Sequence, residues 1–317
     1  MPIMTNFAFR HMPAPPGQAT DLALLGPIIA FLGGDSRAKT WKGTGFNMIW
    51  RPNNSGESGP SNRFLELNMT EETLNFTNIT GTGVANRGFV ETDRALGALA
   101  YLQEVSDRIT GPIHFEPGVW ANIPATSNPQ APPSVTRMGS IPHGTTINAQ
   151  GTSLVSPTGL PVFTAASIVP FTGADNGTNL QNQPENQTPI ATTIPSRTPL
   201  TSVPGLDDAH FQNPTLFLSD VVNKQNVTAT TVFIISTDPT VGLVPPAPTV
   251  GGGIADIEML VGVNNQPNAN AVRMTATFWV ETVDGPNGPF QQLQYTQRVL
   301  LNFGGLTWPH ISVATLT

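Results

Sequence analysis

The 317-residue chain has no cysteine. That absence removes disulfides, thiolate-ligated zinc, iron–sulfur clusters, thiolate-bound haem and a cysteine nucleophile together. Charge is scarce too. Lys and Arg total 14, Asp and Glu total 21, and charged residues make up 11% of the chain, against roughly a quarter in ordinary soluble domains. The net charge is −7 and there is no basic stripe, so nothing is present to displace counterions from phosphates, and no nucleic-acid partner is expected. The longest apolar stretch, Leu22 to Leu32, is interrupted by Gly26 and Pro27. It falls far short of the ~20 residues of a membrane span. Met1-Pro2-Ile3-Met4 is not followed by a basic region and an apolar core, so no secretory signal is legible and a cytoplasmic location is the simplest expectation. No P-loop, G-x-G-x-x-G after a strand, H-E-x-x-H or G-x-S-x-G occurs.

What is present is Gly (30), Pro (31) and many Asn, Thr and Ser residues, a texture that excludes a helical bundle. Residues 1–21 read as a Pro-rich arm and residues 22–32 as a short apolar helix or cap. Alternation predicts strands at Trp41–Trp50, Phe64–Thr70, Thr73–Ile79, Ile113–Trp120, Val135–Gly139, Thr145–Ala149 and Ser153–Val155. Residues 91–109 fit either a helical face or a strand; Gly97 weakens the helix, and a strand from about Ala98 is preferred. Residues 156–250 hold 13 of the prolines and read as a long insertion or subdomain with strands at Thr215–Leu218 and Thr230–Ser236. Four further strands are expected at Ile254–Val263, Val272–Thr282, Phe290–Phe303 and Ile311–Leu316. The sum is one all-β antiparallel barrel or sandwich over residues 22–317, elaborated by long loops. Seven N-x-[ST] triplets, at Asn53, Asn68, Asn75, Asn78, Asn176, Asn186 and Asn226, are what an Asn- and Thr-rich β protein contains by chance.

Chemistry rests on five histidines. His11, in the arm, and His210, after Asp207-Asp208, read as solvated. His143 lies in a Pro142-His143-Gly144 turn. His114 and Glu116 are two apart, so on a strand they share a face. They read either as a hydrogen-bonded pair or as two ligands of a non-haem iron completed by a distant histidine. His310 shares one face of the last strand with Ser312, Ala314 and Leu316. It reads either as a satisfied strand-start histidine or, with small neighbours leaving room for a flat ligand, as an imidazole able to hold haem iron. Tyr101 and Tyr295 are the alternative iron ligands. Trp308 either lines the same pocket or anchors the preceding turn, and Arg298, like Arg137 and Arg273, is a strand arginine that reads either as a residue of the solvated outer face or as a partner for a propionate.

Three segments in order resemble nitrobindin, a haem-binding β-barrel family related to fatty-acid-binding proteins. They are Pro27–Gly33 leading to Thr40-Trp41-Lys42-Gly43-Thr44-Gly45, then His114-Phe115-Glu116-Pro117-Gly118, then Trp308-Pro309-His310 opening the terminal strand. The resemblance touches roughly residues 22–50, 98–155 and 290–317. It implies a ten-stranded calycin-like barrel with haem b at one mouth and His310 as the iron's axial ligand. Trp308 and Arg298 are then the neighbouring cofactor contacts, and His114 and His143 are the candidates for catalysis if they face the distal side. A polar distal side favours peroxide chemistry, whereas an apolar one favours diatomic binding or peroxynitrite isomerisation. Two other readings stand beside this. One is a haem-free carrier of an apolar small molecule. The other is a structural or surface β protein. Strand edges leave room for a homo-oligomer.

Overall fold

The computed structural model describes residues 22–35, 37–53, 61–80, 85–86, 88–156, 159–173, 177–243, 246–264 and 266–317. The arm, with His11, lies outside them, as does most of the Asn53–Gly56 turn. Ten long strands form the wall: β1 (Ala38–Pro52), β2 (Arg63–Asn78), β3 (Gly97–Asp107), β4 (Gly111–Ile123), β5 (Ser134–Ile141), β6 (Thr145–Ser156), β7 (Asn226–Ser236), β8 (Asn270–Gly285), β9 (Gly288–Phe303) and β10 (Leu306–Leu316). Each pairs antiparallel with its neighbours in the sequence, β6 reaches β7, and β10 returns to β1 from Gly43↔Leu316 to Ile49↔His310. The chain is therefore an all-β, closed antiparallel barrel with an up-and-down order. Closure leaves the wall strands without free edges, which answers the liability of an exposed strand edge.

The apolar lead-in closes one end. Leu22–Leu32 is a 3₁₀ helix kinked at Gly26 (φ +51°), with Leu25, Ile28, Phe31 and Leu32 fully buried. Phe31 stands on the barrel axis, stacked on Phe76 (4.7 Å between centroids) and Phe233 (4.4 Å) and close to Trp120 (4.8 Å). The Trp41 indole donates to the Phe31 carbonyl at 2.8 Å and Asn122 donates to the Leu24 carbonyl at 2.9 Å. These bonds satisfy groups that a short helix leaves open at its ends.

A second apolar cluster lies outside the wall. Phe46, Met48 and Trp50 of β1 and Ile311 and Val313 of β10 point outward, under Ile168, Ile190, Val203, Phe211 and Leu218 of the excursion between β6 and β7. Arg197 pins that excursion by donating to the carbonyls of Glu185, Thr188, Pro189 and Thr192 at 2.6–2.9 Å. Strands such as β1 are thus buried on both faces, unusual for an antiparallel sheet.

Several expectations change in detail. The two stretches 64–70 and 73–79 are one strand, and so are 145–149 and 153–155. Residues 91–109 give a strand from Gly97, as preferred. Thr215–Leu218 is not a strand: Leu216–Val222 is a helix, with Leu218 and Val222 one turn apart and buried against the barrel. Ile254–Val263 divides into a short strand, Gly253–Asp256, and a helical turn, Glu258–Val261. The 156–250 stretch is not one insertion, because Asn226–Ser236 within it is a stave of the wall. Replacing Phe31 by Ala should cost about 3–5 kcal/mol in urea unfolding, the usual range for emptying a buried phenyl site. A loss under 1 kcal/mol would mean the plug is not part of the core.

Candidate functional site

Above the aromatic plug the barrel interior turns polar. The H-x-E-x-G segment lies on β4, and alternation turns His114, Glu116 and Gly118 inward. Gly118 pairs across the ladder with Gly139 of β5. A Cβ on Gly139 would stand 2.4 Å from the Tyr101 hydroxyl and 2.5 Å from Glu116 Oε1. The two glycines are the seat in which those side chains sit.

Glu116 and Arg137 are fully buried and paired at 2.8 Å. Tyr101 donates to Glu116 Oε1, and Arg137 Nε donates to the Tyr101 hydroxyl at 3.1 Å. Arg137 also donates to Gln297 Oε1 (2.7 Å) and Gln103 Oε1 (3.2 Å). From Gln103 a directed chain continues. Its amide donates to Tyr295 at 3.1 Å, and Tyr295 donates to Glu72 Oε2 at 2.6 Å. Burial pushes the Glu116 carboxyl up, but the Arg137 guanidinium and the bonds from His114 and Tyr101 outweigh it and hold the group at about 2. Burial likewise opposes the charge on Arg137, and Glu116 restores it. Glu72 goes the other way. Burial raises its carboxyl despite bonds from Tyr295 and Thr70.

Over this polar floor the barrel is hollow. A cavity of about 400 Å³, within the range of ligand pockets, is lined by apolar side chains including Val105, Ile113, Ile147, Met274, Val299 and Leu301. Glu72, Gln103, Tyr295 and Gln297 form its base, and His114, His143 and His310 look into it. β10 and β4 are separated by β1, β2 and β3 on one side and by β5 to β9 on the other. His310 therefore faces His114, and the His143 turn between β5 and β6, across the lumen. His114 and His143 are neighbours, with ring centroids 5.8 Å apart. His114 Nε2 lies 3.3 Å from Glu116 Oε2, the hydrogen-bonded pair of the sequence reading. Among the described residues, no three His, Cys, Asp or Glu side chains converge to hold a metal ion.

His310 is held by a relay. Arg51 pairs with Glu66 (2.8 Å), Asn68 donates to Glu66 Oε1 (3.2 Å), and Asn47 donates to Asn68 Oδ1 (3.0 Å). This order turns the Asn47 carbonyl oxygen toward His310 Nε2, at 2.5 Å, with Ser312 donating to the same oxygen at 2.8 Å. An acceptor at Nε2 places the ring proton there and leaves the lone pair on Nδ1. Burial, reinforced by the charges of His114 and His143, lowers this imidazole to about 3, so it is neutral at physiological pH. Burial also lowers His143, with a smaller contribution from His114.

The other expected site residues are elsewhere. Trp308 is buried outside the cavity. It stacks on Phe303 (4.9 Å), lies 5.0 Å from Trp50, and donates to the Phe303 carbonyl. It anchors the turn and does not line the pocket. Arg298 alternates with the inward Gln297 and Val299, so it faces out, 5.7 Å from the Phe171 ring of the excursion. It is not placed to meet a ligand in the lumen. His210 bridges Asp207 (2.8 Å) and Asp220 (3.1 Å) on the excursion. Tyr295 lines the cavity, but burial and the adjoining Glu72 raise its hydroxyl far above the usual value, which disfavours a phenolate ligand. The sequence reading missed Glu72, Gln103, Asn47 and the pairing of Arg137. The available signal was Glu72 sharing a strand face with Leu74 and Phe76.

Compared with known proteins, the chain matches no family model, no curated protein and no solved structure. No helix among the described residues is long and apolar enough to cross a membrane.

Two outcomes follow from the charges. Arg137→Met, which strands Glu116, should cost about 3–5 kcal/mol in urea unfolding. The double variant Arg137→Met/Glu116→Gln should recover part of that, and equal losses in both would mean the pair is not coupled. Between the ordinary value of 6.5 and the lowered one, the unfolded chain protonates His310 and the folded chain does not. The contribution of this group to stability should therefore fall as pH drops below 6.5, by up to ~1.4 kcal/mol per unit, against an opposing gain from Glu281, whose carboxyl burial raises to about 7. Glu116 adds a further loss as pH falls from 4.5 toward 2. His310→Gln should flatten the upper part of that profile, and an unchanged profile would contradict the assignment.

Proposed function

We propose that the barrel binds haem b in this cavity, with His310 as the iron ligand, and acts on a small ligand or peroxide there. The observation that carries the reading is an imidazole on the wall of a largely apolar lumen, with two further histidines across from it. The donor chemistry fits. Proximal haem ligation uses a neutral imidazole with a free lone pair, and much of the cavity lining is apolar. The order of the T-W-x-G-x-G, H-x-E-x-G and P-H segments, and their places on β1, β4 and β10, accord with a nitrobindin-like, calycin-type barrel.

Bound haem would supply an open coordination position for a small molecule. His310 would hold the iron, and Asn47, fixed through Asn68 and Glu66, would orient the ring. Donation from Nε2–H to a carbonyl oxygen also raises the basicity of the other nitrogen. Across the lumen, His114 can take or give a proton, and its partner Glu116 stays ionised because Arg137 is bound to it. That polar face supports proton delivery to an oxygen ligand, which inclines the proposal toward peroxide chemistry over simple gas binding. The apolar lining favours one second reading, a carrier of an apolar small molecule with a polar head on Glu72 and Gln297.

Titrating the purified protein with haemin separates these readings. The haem reading predicts a saturable Soret band at one haem per chain, lost or weakened more than tenfold in His310→Ala. A titration without spectral change, or one indifferent to His310→Ala, would sink it. Saturable displacement of an apolar fluorescent probe would then favour the carrier.

A further inference from the structure

We infer that His114 and His143 together form a two-imidazole binding site at the barrel mouth for a late divalent transition metal, copper(II) foremost. The inference goes beyond the haem reading, uses the wall opposite His310, and does not require a porphyrin.

The ring centroids are 5.8 Å apart. With metal–nitrogen bonds of ~2.0–2.1 Å, two imidazoles on one ion bring their centroids to about 5–6 Å. One nitrogen of the His114 ring is already tied down. His114 Nε2 meets Glu116 Oε2 at 3.3 Å, and Glu116 is itself gripped by Arg137 and Tyr101. His143 comes from the turn between β5 and β6, with its ring beside that of His114. Imidazoles that bind metals are fixed in this manner, with the second nitrogen on a carboxylate or a backbone carbonyl, which sets tautomer and orientation. His114 is thereby anchored on the carboxylate of its own strand, and its other ring nitrogen is left for a ligand.

The carboxylate of Glu116 is consumed by its partners, so the protein offers nitrogen donors alone. That donor set suits copper, nickel and zinc and not magnesium or calcium. Among those ions copper(II) binds such ligands most tightly. The remaining coordination positions open on the cavity and the mouth, where water or a small ligand can fill them. His143, in the exposed Pro142-His143-Gly144 turn, gives the ion a path from solvent.

The test titrates haem-free protein with copper(II) in a weakly coordinating buffer, followed by visible absorption and electron paramagnetic resonance. One ion per chain with coupling to imidazole nitrogen is expected. His143→Ala and His114→Ala should each weaken binding at least tenfold, while His310→Ala and His210→Ala leave it unchanged. His143 lies in an exposed turn, so its variant should fold, as circular dichroism would verify. Absence of binding, full binding in His143→Ala, or loss in His310→Ala would each overturn the site. Haemin uptake is read separately at the Soret band, so either outcome stands without the other.

Discussion

The ion pair between Glu116 and Arg137 divides this barrel into a solid half and a hollow half. Both side chains are withdrawn from water, which costs several kcal/mol per charge unless geometry and further hydrogen bonds offset it. The offset comes from Tyr101, Gln103, Gln297 and His114, contributed by β3, β4 and β9. Below them, Phe31 and its aromatic neighbours fill the lumen. Above them the inward positions are smaller or polar, and the lumen stays open. Such networks are costly when partly satisfied, so the pair also fixes the relative placement of the strands that supply its partners.

The cavity's character follows from that floor and from its walls. An imidazole surrounded by apolar side chains, facing two other histidines, is most stable without its proton. The Arg51–Glu66–Asn68–Asn47 relay reaches His310 from the rim and determines which nitrogen is left for a ligand. The opposite wall is organised differently: Glu116 orients His114 from beneath, and His143 stands beside it on the β5–β6 turn. One lumen thus presents two separately anchored imidazole groups, which is the physical basis of the haem proposal and of the metal site across from it.

Much of the barrel was legible because strands of period two declare themselves by alternation. The strands bearing Trp41–Trp50, Val272–Thr282 and Phe290–Phe303 are where that pattern places them. The small face of His310, Ser312 and Ala314 does turn inward, and His114 and Glu116 do share a face. Local spacing carries no information about closure, however. Arg137, the Tyr101/Gln103 pair, Tyr295 and Glu72 stand far apart along the chain, and the closed wall brings them together. Trp308 and Arg298 looked like pocket residues because they neighbour inward positions in sequence. The excursion over the outer wall supplies them with partners outside the lumen, so their burial or aromatic contact marks packing. The run Thr215–Leu218 fits a strand as well as a helix because three apolar residues in a short run suit either period, and only the buried Leu218/Val222 spacing distinguishes them.

The most direct measurement of this account is nitrogen-15 resonance of the histidine side chains in ligand-free protein across pH 4 to 8. A His310 ring that stays neutral below pH 5, with its proton on Nε2, is the predicted result. A ring that titrates near 6.5 with its proton exchanging freely between the two nitrogens would contradict it, because the imidazole would then be in water and not held in a shielded lumen.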